Sequence, residues 1–267
     1  MAARLAALVV LVGALVPGCT CASDSVNRGD VNLTSLDDEW ALGRQLAAEV
    51  DAQVPVAADP VVQAYVDALG AELAAETEFA DRPWAFTAVD DPAINAFALP
   101  GGHVYVHTGL IAASENAAEL ASVVGHEVAH VAARHATERM VKAHGLGFVL
   151  GLVLGDDPGL VRQIAAELIG RRQLARFSQR DEAEADRLGL MFMADAGYAP
   201  EAMATMFGTL LQARARRPLA IERWFQSHPL TEDRIAAVAA AAEDLPDRSG
   251  LALDDGRFAA VRQRVLP

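Results

Sequence analysis

Apolar residues recur at helical spacing through most of the chain, and a short central stretch has the pattern of strands. Ahead of that stretch, residues 37–50 and 61–76 each predict a helix. Pro60 suits the first turn of the second helix. The first helix would direct four large apolar residues inward: Trp40, Leu42, Leu46 and Val50. Two helices ahead of any strand predict a lid or a flank.

Three short segments, at 84–89, 93–99 and 103–107, have the composition of strands. Pro100-Gly101-Gly102 lies between the last two and predicts a tight turn, because Pro fixes φ and Gly accepts a positive φ. His103 and His107 would lie about 13 Å apart on the third strand, too far to bind one ion together. We expect both at the surface.

Helical periodicity returns after residue 116 and dominates the rest of the chain. The stretch 116–141 contains no Pro and one Gly, which favours a helix. Further helices are predicted at 160–174, 178–194 (closed by Gly197), 200–212 and 231–243 (capped by Thr231). No internal repeat is visible, and nothing after Pro246 is long enough for a second domain. The pattern predicts a single α+β domain that is mostly helical and contains a small β-sheet.

Segment 145–155, with the sequence GLGFVLGLVLG, is apolar and rich in glycine. It is too short to span a membrane, since a spanning helix takes roughly 20 residues. We expect a buried hairpin here, and the alternative is a patch that touches lipid or a partner.

The first residues follow the three-part plan of a secretory signal: one basic residue, an apolar run at 5–16, and Pro17-Gly18-Cys19. A small residue directly before a cysteine resembles the lipobox of bacterial lipoproteins, which implies that Cys19 is lipidated. The alternative is an ordinary cleaved signal; under either reading the body is exported. The predicted organisation is a signal peptide at 1–18, a lipidated N-terminus and flexible tether at 19–35, and one domain at 36–267.

Composition narrows the classes of function. The chain has 267 residues, 52% of them hydrophobic, which is ample for a large core. Its 36 acidic and 22 basic residues give a net charge of −14, which argues against a nucleic-acid partner or an anionic lipid surface. Both cysteines, Cys19 and Cys21, lie near the N-terminus. A metal site in the body must therefore use histidine and carboxylate ligands.

The sequence HEVAH at 126–130 lies within the predicted helix 116–141. His126 and His130 are one turn apart on one helical face, so both imidazoles can reach the same metal ion. Glu127 is adjacent, where its carboxylate could accept a proton from a metal-bound water. A neighbouring face carries an apolar stripe: Leu120, Val124, Val128 and Val131. From residue frequencies, a chain this long matches HExxH by chance about 1% of the time, so the motif needs further support.

A catalytic zinc usually has three protein ligands and one open position. The pattern HExxHxxGxxH is excluded, because positions 133 and 136 are both alanine and His135 is out of register by one. We expect His135 and His144 to be exposed helix histidines. The remaining common arrangement takes a carboxylate ligand from a later helix.

The sequence EAEAD at 182–186 supplies such a carboxylate. Glu182 and Asp186 share a helical face, whereas Glu184 points away from both. Glu182 could bind the metal, and Asp186 could accept a hydrogen bond from a ligating imidazole, a partner that metal-bound histidines normally have. The alternative is a solvated helix face rich in charged residues.

Together these motifs resemble the HtpX / CAAX-prenyl-endopeptidase family of zinc metallopeptidases. The resemblance extends from about residue 37 to 242 and rests on an ordered set of motifs: NAFALPGG at 95–102, HEVAH, EAEAD and Ser227-His228-Pro229. The chain looks most like the branch of soluble periplasmic lipoproteins. It lacks the multiple membrane spans of other members and a C-terminal repeat array.

The resemblance implies a zincin-like domain whose small β-sheet flanks the active-site helix. It implies one Zn²⁺ per chain with His126, His130 and Glu182 as ligands and Glu127 as the general base. Asp186 matches the acid behind the ligands, and His228 matches the histidine that faces the reacting carbonyl. The matching substrate-binding edge comprises Asn95, Ala96, Phe97 and Ala98. Arg234 also fits the family's layout, with a local ion pair at a helix end as an equal alternative.

The predicted function is a zinc-dependent metalloendopeptidase of the bacterial cell envelope that cuts unfolded or misassembled envelope proteins. Zinc lowers the pKa of its bound water toward about 7, Glu127 moves the proton, and His228 donates to the developing oxyanion. Substrate backbone would pair with the strand edge. The expected partners are polypeptides and, through the lipid anchor, a membrane, with the outer membrane favoured by Thr20 after Cys19.

Two alternatives stay open. One is a non-proteolytic, zinc-binding, chaperone-like lipoprotein in outer-membrane protein assembly, and the other is a zinc hydrolase that acts on something other than peptides. Whether His228 or segment 145–155 occupies the cleft in a latent state is also open.

Overall fold

The computed structural model describes residues 34–154, 158–169, 176–246 and 250–266. The predicted signal, Cys19 and nearly all of the tether lie outside these residues. Within them the chain forms three strands and twelve helices. None of these helices is long and apolar enough to cross a membrane. The predicted α+β class, mostly helical with a small sheet, is confirmed.

Two capped helices precede the sheet. Helix α1 (Leu36–Asp51) begins after Ser35, whose side chain accepts a hydrogen bond from the Asp38 backbone. Helix α2 (Pro60–Ala74) begins after Asp59, which caps it in the same way. All four residues predicted to face inward from the first helix are buried.

The sheet has three strands in the order β1-β3-β2, where β1 is Ala85–Val89, β2 is Ala96–Leu99 and β3 is His103–His107. β1 is parallel to β3, and β2 is antiparallel to β3. The predicted turn joins β2 to β3, with φ of +72° at Gly101 and +82° at Gly102. β2 therefore lies at an edge of the sheet.

The central position of β3 overturns one expectation. His107 is buried, not at the surface, and its Nδ1 lies 3.6 Å from a carboxylate oxygen of Asp91. Burial lowers the pKa of His107 to about 4. His103, at the other end of β3, is half-buried. The prediction for His107 was wrong because a strand paired on both sides and covered on both faces buries its side chains.

Helix α4 (Ala117–Ala132) lies at the centre of the domain, and all of its residues are buried. It follows the short helix α3 (Thr108–Ala113) and packs against α2, β2, α8 (Gln179–Asp195) and α9 (Ala202–Arg216). Glycines allow α8 to approach closely: a Cβ at Gly189 would lie 3.1 Å from the His126 backbone nitrogen. This crossing brings the start of α8 alongside HEVAH.

The helix predicted at 116–141 is interrupted. Arg134 has φ of +59°, and a new helix, α5 (His135–His144), begins directly after it. The Arg134 side chain holds this turn, because its Nε donates to Glu39 at 2.7 Å and its Nη2 donates to the Thr34 carbonyl at 2.6 Å. Tertiary partners therefore impose a backbone conformation that the helical pattern does not indicate.

The prediction of a hairpin at 145–155 is also wrong. The segment forms helix α6 (Leu146–Leu154), which buries Val149 and Leu152 and leaves Leu150 and Leu154 exposed. A Cβ at Gly147 or Gly151 would meet nothing within 4 Å. Neither glycine is required by a turn, and apolar neighbours at helical spacing decide the conformation.

The remaining helices pack mainly against elements other than α4. Helix α7 (Pro158–Ile169) covers part of the prediction at 160–174, whose last residues lie outside the described ranges. α8 begins after Ser178, whose side chain accepts from Asp181, and α11 (Glu232–Asp244) begins after its predicted cap, Thr231. α9 matches the prediction at 200–212 with a longer C-terminal end. Helices α3, α10 (Pro218–Ser227) and α12 (Phe258–Val265) were not predicted.

Candidate active site

HEVAH presents two imidazoles from one face of α4. The Nε2 atoms of His126 and His130 lie 3.0 Å apart, and the two side chains are 0% and 2% exposed. Helical spacing accounts for the convergence, because residues four apart lie one above the other. Glu127, which is equally buried, follows on the adjacent face.

The first acid of EAEAD reaches the same point from α8. The carboxylate of Glu182 lies 3.5 Å from His130 Nε2 and 3.7 Å from His126 Nε2. His228, directly after α10, joins them: its Nδ1 lies 2.9 Å from Glu182 and 3.3 Å from His126 Nε2. One donor atom from each of these four residues lies within 4.8 Å of the others. The structure thus brings together the three predicted ligands and places His228 among them.

The donor set fits a zinc ion. Asp186 lies against Nδ1 of His126 and His135 against Nδ1 of His130, so the two Nε2 atoms face each other beside a carboxylate. Nitrogen lone pairs in that position repel each other unless a cation lies between them. Ligand atoms 2.0–2.1 Å from a tetrahedral zinc are about 3.3 Å apart, and the three predicted ligands are separated by 3.0, 3.5 and 3.7 Å.

Asp186 and Arg234 contact two of the predicted ligands. The carboxylate of Asp186 lies 2.9 Å from His126 Nδ1, and Arg234 donates to it through two nitrogens, at 2.5 and 2.7 Å. Arg234 also donates to Glu182. These partners are distant in sequence, so Arg234 is not confined to the local ion pair at a helix end that the sequence left open.

Electrostatics keep these carboxylates ionised. Burial by itself raises the pKa of Glu182, but the charge of His228 and the close contacts with His228 and His130 outweigh it. The pKa of Glu182 therefore lies well below its ordinary value. Burial likewise opposes ionisation of Asp186, yet Arg234 and His126 hold its pKa below the usual range. Burial lowers the pKa of His130 well below the ordinary value, which favours the neutral ring that a metal requires.

His135 is the clearest departure from the sequence analysis. It is buried, not exposed, and its Nδ1 lies 2.8 Å from Nδ1 of His130. Its Nε2 lies 3.6 Å from Glu184, the acid that points away from the ligands. On one continuous helix, position 135 would lie about 140° around the axis from position 130. The turn at Arg134 brings the two rings together. His144, further along α5, is exposed as expected.

Glu127 and His228 form a second pair at the site. Glu127 Oε1 lies 3.4 Å from His228 Nε2. Burial raises the pKa of Glu127 against the opposing charges of His228 and His126. Burial alone would lower the pKa of His228, but the carboxylates of Glu182 and Glu127 outweigh it and raise that pKa. Burial thus favours the protonated form of Glu127, and the two carboxylates favour the protonated form of His228.

The ligand cluster opens into a narrow cleft of about 30 Å³ beside β2. Among the predicted edge residues, Phe97 and Ala98 line this cleft together with Glu127 and His130. Asn95 lines a second cavity of about 190 Å³, which also reaches Phe97. Ala96 is buried in the core.

Two residues at the cleft had no signal in the sequence. The ring of Phe177 stacks on His130 with centroids 3.9 Å apart. Arg139 lies on α5, and its guanidinium carbon is 4.1 Å from the centroid of the same Phe177 ring. Both come from segments whose placement depends on the break at Arg134 and on the approach of α8.

The sequence profile of peptidase family M48 matches residues 60–242 of the chain. The chain belongs to peptidase family M48. The match includes β1–β3, helices α2–α10 and most of α11, and so every residue of the ligand cluster. The zinc metallopeptidase family predicted from the motifs is confirmed.

This M48 chain is similar in sequence to several curated proteins. It is 33% identical over 214 residues to the beta-barrel assembly-enhancing protease of Escherichia coli (strain K12), covering 76% of this chain and 43% of the relative. The protein of the same name from Yersinia pestis is 30% identical over 237 residues, 85% of this chain and 49% of the relative. Mitochondrial metalloendopeptidase OMA1 of Schizosaccharomyces pombe is 30% identical over 217 residues, 79% and 63% respectively. The chain spans about half the length of the first two.

Proposed function

We propose that this chain is a zinc-dependent metalloendopeptidase that binds one zinc ion through His126, His130 and Glu182. The observation that carries the proposal is the convergence of these three donors on one point with the Glu127 carboxylate beside them. A zinc ion held there would lower the pKa of water and polarise the scissile carbonyl. The names of the relatives, a protease and a metalloendopeptidase, support this activity.

The chain's own residues supply the remaining chemistry. Glu127 takes the proton of the attacking water and delivers it to the leaving amine, and a raised pKa suits a group that must both accept and release a proton. His228 donates from its ring to the oxygen that becomes negatively charged.

The substrate class follows from the strand edge. Within the described residues β2 pairs with no strand other than β3, and its other edge is where we propose that an extended peptide binds. Residues 95–98 would bind substrate mainly through backbone groups, which suits unfolded or misassembled envelope proteins as substrates. Main-chain recognition of this kind also favours a peptidase over a zinc hydrolase for other esters or amides.

We place the protein in the bacterial cell envelope. Residues 1–18 would act as the signal, and Cys19 would carry the lipid that anchors the chain, with its domain in the periplasm at the outer membrane. Residues 36–267 would fold as one domain. The name of one group of relatives, beta-barrel assembly-enhancing protease, is compatible with this location. A Cys19→Ser variant should lose metabolic labelling with palmitate, and unchanged labelling would contradict the anchor.

The decisive experiment measures zinc and proteolysis on the same preparation. The purified chain should contain about one zinc per molecule and should cleave casein in a chelator-sensitive manner. Glu127→Gln should retain the zinc and lose cleavage, because the amide cannot accept a proton. Cleavage by that variant at the rate of the unmodified chain would refute the assignment of Glu127.

The non-proteolytic, chaperone-like lipoprotein is the second candidate. Zinc in the unmodified chain without chelator-sensitive cleavage of any unfolded protein would favour it. The presence of Glu127 beside the ligands counts against it, since a protein that only binds has no use for a general base.

A further inference from the structure

Arg139 lines the cleft of the proposed active site, and the proposed chemistry does not use it. It lies on α5 and shares the cleft with Glu127, His130 and His228. Its guanidinium carbon lies 4.1 Å from the centroid of the Phe177 ring, which also stacks on the ring of His130. The Nε and Nη1 atoms of Arg139 are buried and have no hydrogen-bond partner within the described residues.

Two buried guanidinium nitrogens without an acceptor are unfavourable. Burial lowers the pKa of Arg139 to about 10, so the side chain is still charged at neutral pH. A charge removed from water is costly unless an acceptor compensates it. Two other arginines of comparable burial have such acceptors: Arg134 donates to Glu39, and Arg234 donates to Asp186. The cation–π contact with Phe177 holds Arg139 in place and does not satisfy its N–H groups.

Neither acidic residue of the cleft accepts a hydrogen bond from Nε or Nη1 of Arg139. Glu39 also lines the cleft, but it is already paired with Arg134 at 2.7 Å. Glu127 lies beside His228 at the ligand cluster. The free volume of about 30 Å³ is enough for one or two water molecules, which a substrate group could displace.

We propose that Arg139 is a specificity-determining residue that pairs with an acidic side chain of the polypeptide substrate. This inference rests on the proposed peptidase function. The planar fork of guanidinium N–H groups matches a carboxylate, and a charge-assisted pair in a partly desolvated cleft is stronger than a pair of neutral groups. The stack on His130 and Phe177 places Arg139 beside the ligands, so the acidic residue should lie close to the scissile bond.

The test is a positional scan of an unstructured peptide that the zinc-loaded chain cleaves. A single Glu is moved through the positions around the scissile bond, and each peptide is compared with its Gln analogue. In the unmodified chain we expect one position at which Glu raises kcat/KM about tenfold to hundredfold over Gln. Arg139→Gln should bring that ratio close to one and leave the ratios at the other positions unchanged.

Matched variants separate this role from a structural one. Arg214 also lies over a phenylalanine ring, at 4.4 Å from Phe225, but it is exposed and outside the cleft, so Arg214→Gln should keep the preference. Arg139→Lys should keep part of it, and Arg139→Glu should shift the preference to Lys at the same position. The proposal would be overturned if the unmodified chain cleaved the Glu and Gln peptides with the same kcat/KM at every position. It would also be overturned if Arg139→Gln kept the preference for Glu.

Binding measured without turnover distinguishes failure of this proposal from failure of the proposed function. Fluorescence anisotropy of the labelled Glu and Gln peptides is recorded on the zinc-loaded Glu127→Gln chain, with and without Arg139→Gln. Tighter binding of the Glu peptide that depends on Arg139 supports the proposal even if the unmodified chain cleaves no peptide. Binding with no such dependence refutes it, whatever the cleavage assay gives.

Discussion

Removing His135 should weaken zinc binding, although this residue is not one of the proposed ligands. His135 contacts Nδ1 of His130 at 2.8 Å in a fully buried setting, and this contact orients the ring so that Nε2 faces the other ligands. Leaving a buried polar group without its partner costs about 1–3 kcal/mol. This cost corresponds to roughly 5–150-fold in zinc affinity, and loss of such outer partners typically costs 10–100-fold.

The assay is competition for zinc between the purified chain and a chromogenic chelator of known affinity. His135→Ala should lower the affinity within that range. His135→Asn should retain most of it, because its amide oxygen can accept the hydrogen bond from His130. His144→Ala is the matched control, since His144 lies on the same helix and is exposed. Zinc affinity of His135→Ala within twofold of the unmodified chain would refute the reasoning.

Three further predictions concern the ligands and the helices that carry them. Glu182→Ala should lose bound zinc in elemental analysis, whereas Glu184→Ala should retain it, and the reverse result would mean that the other acid is the ligand. Asn116→Ala removes the cap of α4, because the Asn116 side chain accepts a hydrogen bond from the Glu119 backbone at 2.9 Å. The free energy of unfolding measured in urea should fall by about 1 kcal/mol. An unchanged urea midpoint would contradict that role. Gly189→Ala should cost about 1–3 kcal/mol in the same assay, because its Cβ would press on the His126 backbone.

Several features of this protein could be predicted from the sequence because they depend on local backbone geometry. The period of 3.6 residues places His126 and His130 on one face of α4 wherever that helix lies. The same argument distinguishes Glu182 from Glu184 on α8, and capping chemistry identifies Thr231 as the start of α11. Each of these inferences needs only the conformation of one continuous segment.

Tertiary packing decided the rest, because it brings together residues that no local period relates. Arg134 adopts a positive φ since Glu39, far away in sequence, holds its side chain, and that turn brings His135 against His130. Burial of His107 likewise follows from pairing of β3 on both sides. The partners of Arg234 depend on how α11 packs against α8. Long-range contacts of this kind result from shape and burial across the whole core. A sequence pattern analysed one segment at a time does not contain that information.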